Sequence, residues 1–171
     1  MQWQKDNNSL STEPVRPLAA TSYKTTGPNQ ELLVTWNDIL RDVVGSQNPE
    51  VVLLDTRPAA EFVGENIRAI RGGHIPNAIN VTGAAAANDK ETQLFKSPEQ
   101  IRAPFVEAGI TPDKTIYAYC HSSDRSAHTY MVLTHLLGYE NVKIYDGAWM
   151  EWAVLTALPA ENVSWLSASV D

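Results

Sequence analysis

Thr115-Ile116-Tyr117-Ala118-Tyr119-Cys120-His121-Ser122-Ser123-Asp124-Arg125-Ser126 is the stretch whose reading decides the fold. Its first five residues are β-branched, aromatic and small apolar, the composition of a buried strand. From Cys120 to Arg125 the chain turns polar, and from Ser126 to Leu137 it reads as a helix that Gly138 can stop. Strand, short loop and helix in that order place Cys120 at the C-terminal end of a strand, where open α/β sheets bind ligands.

Working outward, Val51-Val52-Leu53-Leu54 is a continuous apolar run ending in Asp55-Thr56-Arg57-Pro58, which suits a strand buried on both faces. Pro58 is expected to start a short helix through Phe62. Gly73 to Val81 reads as a loop and then a strand. Val142-Lys143-Ile144-Tyr145 is a further strand, turned by Asp146-Gly147 into a helix carrying Trp149 and Trp152, three apart and read as core or interface contacts. Two more helices have recognisable starts: Thr35 with Asp38, running through Val44 to Gly45, and Ser97-Pro98-Glu99-Gln100, running to Gly109. Strands alternating with helices predict an α/β fold whose central, mainly parallel sheet is flanked by helices on both faces.

The chain has 171 residues, enough for one domain with a tail. At 43% hydrophobic and 19% charged residues it can bury a core and is too weakly charged for a disordered polyelectrolyte. Twenty acidic residues against 13 basic ones give a net charge of −7, which argues against nucleic acid as a partner. No apolar run reaches the ~18 residues of a membrane span, and the opening lacks a secretory signal, so the expectation is a cytoplasmic protein with no membrane partner. Residues 1–31, with Pro14, Pro17 and Pro28 among Ser, Thr and Asn, read as an extended linker-like segment; residues 32–160 form the domain, and 161–171 a C-terminal tail.

Cys120 is the sole cysteine, which excludes an internal disulfide, a CxxC redox pair and multi-cysteine zinc sites. A thiol before a helix N-terminus meets unpaired backbone N–H groups and the positive end of the helix dipole. With Arg125 close by in sequence, the expectation is a thiol pKa below the free value of about 8.5 and a nucleophilic Cys120. The loop from Cys120 to Arg125 would form a concave nest for an anion. The bland alternative is an inert core thiol, against which the polar loop argues. His121, His128 and His135 recur every seven residues, but only two fall on the expected helix and no acidic ligand motif accompanies them, so no metal is expected. His121 is the histidine expected to touch substrate.

Four blocks, in order, resemble the rhodanese family of sulfurtransferases: Leu54 to Phe62, Gly73 to Val81, the loop beginning at Cys120, and Tyr145 to Trp152. The resemblance implies a rhodanese-like fold and a persulfide mechanism without cofactor or metal. Cys120 would take sulfane sulfur from a donor such as thiosulfate or 3-mercaptopyruvate and pass it to cyanide or a thiol. His121, Ser122, Ser123, Asp124, Arg125 and Ser126 would bind the substrate, and Asp55 and Arg57 would brace the site. The Pro-rich opening, with Trp3 and Ser11-Thr12-Glu13-Pro14, resembles the linker of tandem-domain members, which implies an upstream inactive rhodanese domain as partner.

Two departures stand out. Thiosulfate-specific animal members carry basic residues directly after the cysteine, where this chain has His121 and Ser122. Where those members place a substrate-binding arginine in the first block, it has Glu61, so positive charge must come from Arg125 or from backbone dipoles. The rival readings are a phosphatase or arsenate reductase on the same fold, and a non-catalytic rhodanese-like binding module. Phosphatase loops place five residues between cysteine and arginine; here there are four, a smaller loop that fits one sulfur atom better than a phosphate. Binding modules usually lack the cysteine.

Overall fold

The apolar runs assemble into one five-stranded sheet in the computed structural model, which describes residues 2–25, 27 and 29–162. The strands are Leu33–Val34 (β1), Val51–Asp55 (β2), Ile79–Asn80 (β3), Thr115–Tyr119 (β4) and Val142–Tyr145 (β5). Their order is β1-β5-β4-β2-β3, and every neighbouring pair is parallel. β4 is central, with Leu53 of β2 opposite Tyr117 and Ile144 of β5 opposite Ala118. Cys120 follows β4 directly and so emerges at the middle of the sheet's C-terminal edge.

Parallel pairing requires crossovers, and these cover both faces of the sheet. Alternation along β4 divides its side chains between two cores. Ile116 and Ala118 pack with Leu54, Phe105, Val132 and Leu133; Tyr117 and Tyr119 pack with Leu53, Tyr145, Trp149 and Trp152. Trp149 and Trp152 are thus core residues, as their spacing predicts.

The helices are Gln2–Lys5 (α1), Trp36–Ile39 (α2), Ala59–Phe62 (α3), Gly83–Ala87 (α4), Pro98–Glu107 (α5), Asp124–Met131 (α6) and Ala148–Val154 (α7). Both expected capping boxes form: Thr35 and Asp38 exchange hydrogen bonds of 3.4 and 2.8 Å, and Ser97 and Gln100 exchange bonds of 3.3 and 3.1 Å. Elsewhere the structure departs from the sequence reading. α2 and α6 continue as π-helical turns over Leu40–Gly45 and Val132–Leu136. α6 begins at Asp124 rather than Ser126, because Ser123 takes a left-handed conformation (φ 71°) and its carbonyl accepts the Ala127 amide at 2.8 Å. Pro58 is the extended residue that caps α3, with ψ at 147°, instead of its first helical residue.

The strand expected before Val81 is limited to Ile79–Asn80. His74 pairs instead with Glu161, each amide donating to the other's carbonyl at 2.8 and 2.9 Å, so the chain at 161 is tied against the domain. Within the segment read as linker-like, α1 and a 3-10 turn over Gln30–Leu32 are helical, and Leu10 to Lys24 are exposed. Residues 163–171 of the expected tail, with Met1, Thr26 and Pro28, lie outside the described residues. Among the described residues no helix is long and apolar enough to cross a membrane.

α4 presses on α6 at Gly83, where a Cβ would collide with the Thr129 hydroxyl. Gly83→Ala should therefore lower the free energy of unfolding by about 1–3 kcal/mol. In a Thr129→Ala background the same substitution should cost much less, which chemical denaturation of the four proteins in that cycle would measure.

Candidate active site

The Cys120 side chain is buried, but its neighbours are polar. Its S–H donates to Asp124 Oδ1 at 3.5 Å, the Ser126 hydroxyl donates to Sγ at 3.9 Å, and the sulfur and the Arg125 guanidinium interact electrostatically. Asp124, Arg125 and Ser126 approach the sulfur because the early start of α6 places all three in its first turn, where amides have no acceptor four residues back in the helix. Ser122 and Asp124 are exposed and form the open rim of the site.

The loop is held from below by α7. Its first amides, Trp149 N and Met150 N, donate to the carbonyls of Cys120 and His121 at 3.0 and 3.1 Å. Ser123 Oγ donates to Asp146 O at 2.5 Å, and Ser122 Oγ to Asp124 Oδ1 at 3.1 Å. The Asp124 carboxyl lies below its ordinary pKa, chiefly through the Arg125 amide, so it is ionised at neutral pH.

Arg125 does not stand free. The Glu61 carboxylate receives Nη1 and Nη2 of Arg125 at 3.0 and 3.3 Å, and Nη1 of Arg68 at 3.1 Å. Glu61 is only 4% exposed. Burial pushes its pKa up, but the hydrogen bond and charge of Arg125, then those of Arg68, outweigh burial and hold it below the ordinary 4.5. The sequence reading left Arg125 as an available cation; in the structure its charge is already met by a carboxylate from α3. Neither Glu61 as that partner nor Arg68 as a member of the site was anticipated. The available signal was a single carboxylate between Ala60 and Phe62 in an otherwise apolar helix.

His121 is 8% exposed, and its Nδ1 is buried without a hydrogen-bond partner. Burial first, then the positive charge of Arg68, lowers its pKa below 6.5, so the ring is neutral at neutral pH. The other two histidines of the seven-residue series lie apart from it in role: His128 stacks on Phe95 at 5.8 Å, and His135 is exposed. Among the described residues, no three His, Cys, Asp or Glu side chains are grouped to hold a metal ion.

Asp55 and Arg57 lie at the end of β2, beneath the loop. Arg57 Nε donates to both Asp55 carboxylate oxygens at 3.0 Å and Nη2 to Oδ2 at 2.6 Å, while the Arg57 amide donates to Oδ1 at 2.9 Å. Nη2 also donates to Gly73 O at 2.8 Å. The guanidinium lies 4.6 Å from the Trp149 ring and 5.6 Å from that of Tyr119. Thr56 donates both its amide and its hydroxyl to Tyr119 O, at 2.9 and 3.1 Å, fixing the residue before Cys120.

A family model described as "Rhodanese-like domain" matches residues 40–155. A protein of Saccharopolyspora erythraea named "Putative thiosulfate sulfurtransferase" is 40% identical over 169 residues, covering 94% of this chain and 57% of that protein. The sulfur carrier protein TtuD of Thermus thermophilus is 36% identical over 165 residues, covering 92% and 57%. The chain thus spans little more than half the length of these relatives. Among solved structures, the anaerobic ergothioneine biosynthesis enzyme of Chlorobium limicola shares the fold with a TM-score of 0.77 at 20% identity, over 94% of this chain and 39% of that one.

Two measurements follow from this geometry. Arg57→Ala strands the Asp55 carboxylate in the core and should cost about 3–5 kcal/mol of stability in denaturant titrations. Because the folded pKa of His121 lies below 6.5, the unfolded chain takes up the proton first on acidification. The contribution of His121 to stability is therefore full above pH 6.5 and declines as pH falls through that value, and His121→Asn should show a shallower decline than the native protein.

Proposed function

Because this chain belongs to the rhodanese family, whose model covers residues 40–155, we propose that it is the catalytic domain of a sulfurtransferase in which Cys120 carries sulfane sulfur as a persulfide. The observation that carries this reading is the closure of a four-residue loop on one sulfur atom: Cys120 Sγ lies within 3.5 Å of Asp124 and 3.9 Å of Ser126, at the start of a helix. A loop of that length accommodates one further sulfur more readily than a tetrahedral oxyanion.

In the first half-reaction the Cys120 thiolate attacks the outer sulfur of a donor. With thiosulfate, the new bond joins the two sulfurs as the donor's S–S bond breaks, and sulfite leaves with the bonding pair. With 3-mercaptopyruvate, the C–S bond breaks and pyruvate leaves as its enolate. The terminal sulfur of the Cys120 persulfide carries a negative charge, which amides at the start of α6, lacking acceptors within the helix, would receive. Cyanide or a thiolate then attacks that sulfur, leaving as thiocyanate or a new persulfide and returning Cys120 as thiolate. His121, Ser122, Ser123, Asp124, Arg125 and Ser126 form the substrate-binding wall, and no step calls on a metal or cofactor.

Asp55 and Arg57 act in this reading as a brace, holding the residues on either side of the loop without touching the donor. The relatives' extra length, together with the Pro-rich segment 1–31, supports an upstream inactive rhodanese domain in the whole protein, with residues 32–160 as the catalytic domain. A lone thiol that must stay reduced between turnovers also favours the cytoplasm as its compartment.

Brief exposure to thiosulfate or, separately, 3-mercaptopyruvate should add one sulfur atom to the Cys120 peptide, removable by cyanide, as read by intact-mass and peptide mass spectrometry. Cys120→Ser should lose both the added sulfur and turnover while keeping its circular dichroism spectrum. Arg125→Ala should lower kcat/KM by about tenfold or more. Turnover retained in Cys120→Ser would sink the mechanism.

A further inference from the structure

Four charged side chains set the field at Cys120: the cations Arg125 and Arg68, and the carboxylates of Glu61 and Asp124. Beneath them Arg57 and Asp55 cancel one another in a closed pair. His121, directly after the cysteine, is neutral, because burial and the surrounding guanidiniums hold its pKa down. Thus, among the described residues, each cation in the wall is met by a carboxylate, and none is left over to meet a second negative charge on a donor. Glu61 does most of this balancing, since its one buried carboxylate engages both arginines.

We propose that Glu61 is a specificity-determining residue that turns the site towards donors bringing a single negative charge, or none, and away from dianionic thiosulfate. This rests on the sulfurtransferase reading above and adds the charge class of the donor. The physical basis is Coulombic: a unit charge a few ångströms from an anionic ligand changes its binding by about tenfold or more even with the screening of a partly open site. Replacing Glu61 by a neutral isostere leaves Arg125 and Arg68 with an uncancelled positive charge beside the sulfur. Removing Arg68, whose side chain is 49% exposed, does the opposite, leaving the remaining arginine fully matched by Glu61 and Asp124 in excess.

The test compares thiosulfate with methanethiosulfonate. Both give up an outer sulfur to Cys120 with cleavage of one S–S bond, releasing sulfite and methanesulfinate respectively, but they differ by one unit of charge. Intrinsic reactivity cancels when the ratio of their kcat/KM values is compared between variants, with cyanide as acceptor. Glu61→Gln should move the ratio towards thiosulfate by about tenfold, an effect that shrinks as salt is raised. Glu61→Asp, which keeps the charge, should leave the ratio near the native value, and Arg68→Gln should move it the other way. A purely structural role for Glu61 would lower both rates together and leave the ratio unmoved.

An unchanged ratio in Glu61→Gln, with methanethiosulfonate still loading Cys120, overturns the proposal. So does a shift of Arg68→Gln in the same direction as Glu61→Gln. If Glu61→Gln fails to fold, the half-exposed Arg68 still decides: a shift away from thiosulfate supports the proposal and no shift overturns it. Failure of both donors to load native Cys120 is a different result, since it overturns the sulfurtransferase reading and this inference with it.

Discussion

The Asp55–Arg57 pair is the constraint on which the rest of the site depends. Both side chains are buried, and desolvating two charges costs several kcal/mol per ion unless every remaining hydrogen-bonding group is satisfied. The protein meets that requirement with parts from four places: the Asp55 carboxylate from β2, the Gly73 carbonyl from the chain before β3, the Tyr119 ring from β4 and the Trp149 ring from α7. Satisfying one guanidinium therefore fixes four segments relative to each other. Cys120 follows Tyr119 directly, and the Trp149 amide holds the Cys120 carbonyl, so the geometry of the reactive loop is inherited from the pair beneath it.

Above that base, the loop is closed by polar contacts that run between distant parts of the chain. Glu61 and Arg125 are 64 residues apart and meet only because α3 and α6 both begin at the C-terminal edge of the sheet. Gly83 allows α4 to lie against Thr129, which keeps α6 seated on the same edge. The left-handed Ser123 lets the chain turn from the strand direction into α6 within three residues of Cys120 and brings Asp124 and Ser126 back onto the sulfur. Backbone strain at one residue is thus used to wrap a small loop.

The parts legible in the sequence are those specified locally. β2, β4 and β5 are short, mostly apolar runs, the two capping boxes are four-residue patterns, and the position of Cys120 follows from the strand and helix on either side of it. β1 escaped because two residues are too few to show alternation, and α4 because Gly83-Ala84-Ala85-Ala86-Ala87 carries no periodic contrast between apolar and polar positions, whereas β3 lies where a strand was expected but is only two residues long. The π-helical turns in the α2 and α6 regions are absent from the pattern for a similar reason: one residue more per turn scarcely shifts the apolar stripe over so short a length. The two-residue error at the start of α6 came from reading Asp124 and Arg125 by their polarity as loop, although an acidic residue in a first helical turn is favourable.

The misreading of Arg125 is the more instructive one, because it concerned charge and not position. Sequence alone displays the cation beside the cysteine and hides the carboxylate that meets it, so a site that looks basic along the chain is balanced in space. By its resemblance to the rhodanese family, the chain has Glu61 where thiosulfate-specific animal members would carry an arginine, and in the structure that carboxylate engages Arg125 and Arg68. An arginine there would add a third cation to the wall, whereas the carboxylate engages the two already present. One position in α3 can therefore reset the net charge of the pocket without altering the loop, the strand or the nucleophile. In the proposed reading the persulfide chemistry would depend on the loop, while the choice of donor would depend on what the neighbouring helix places against it.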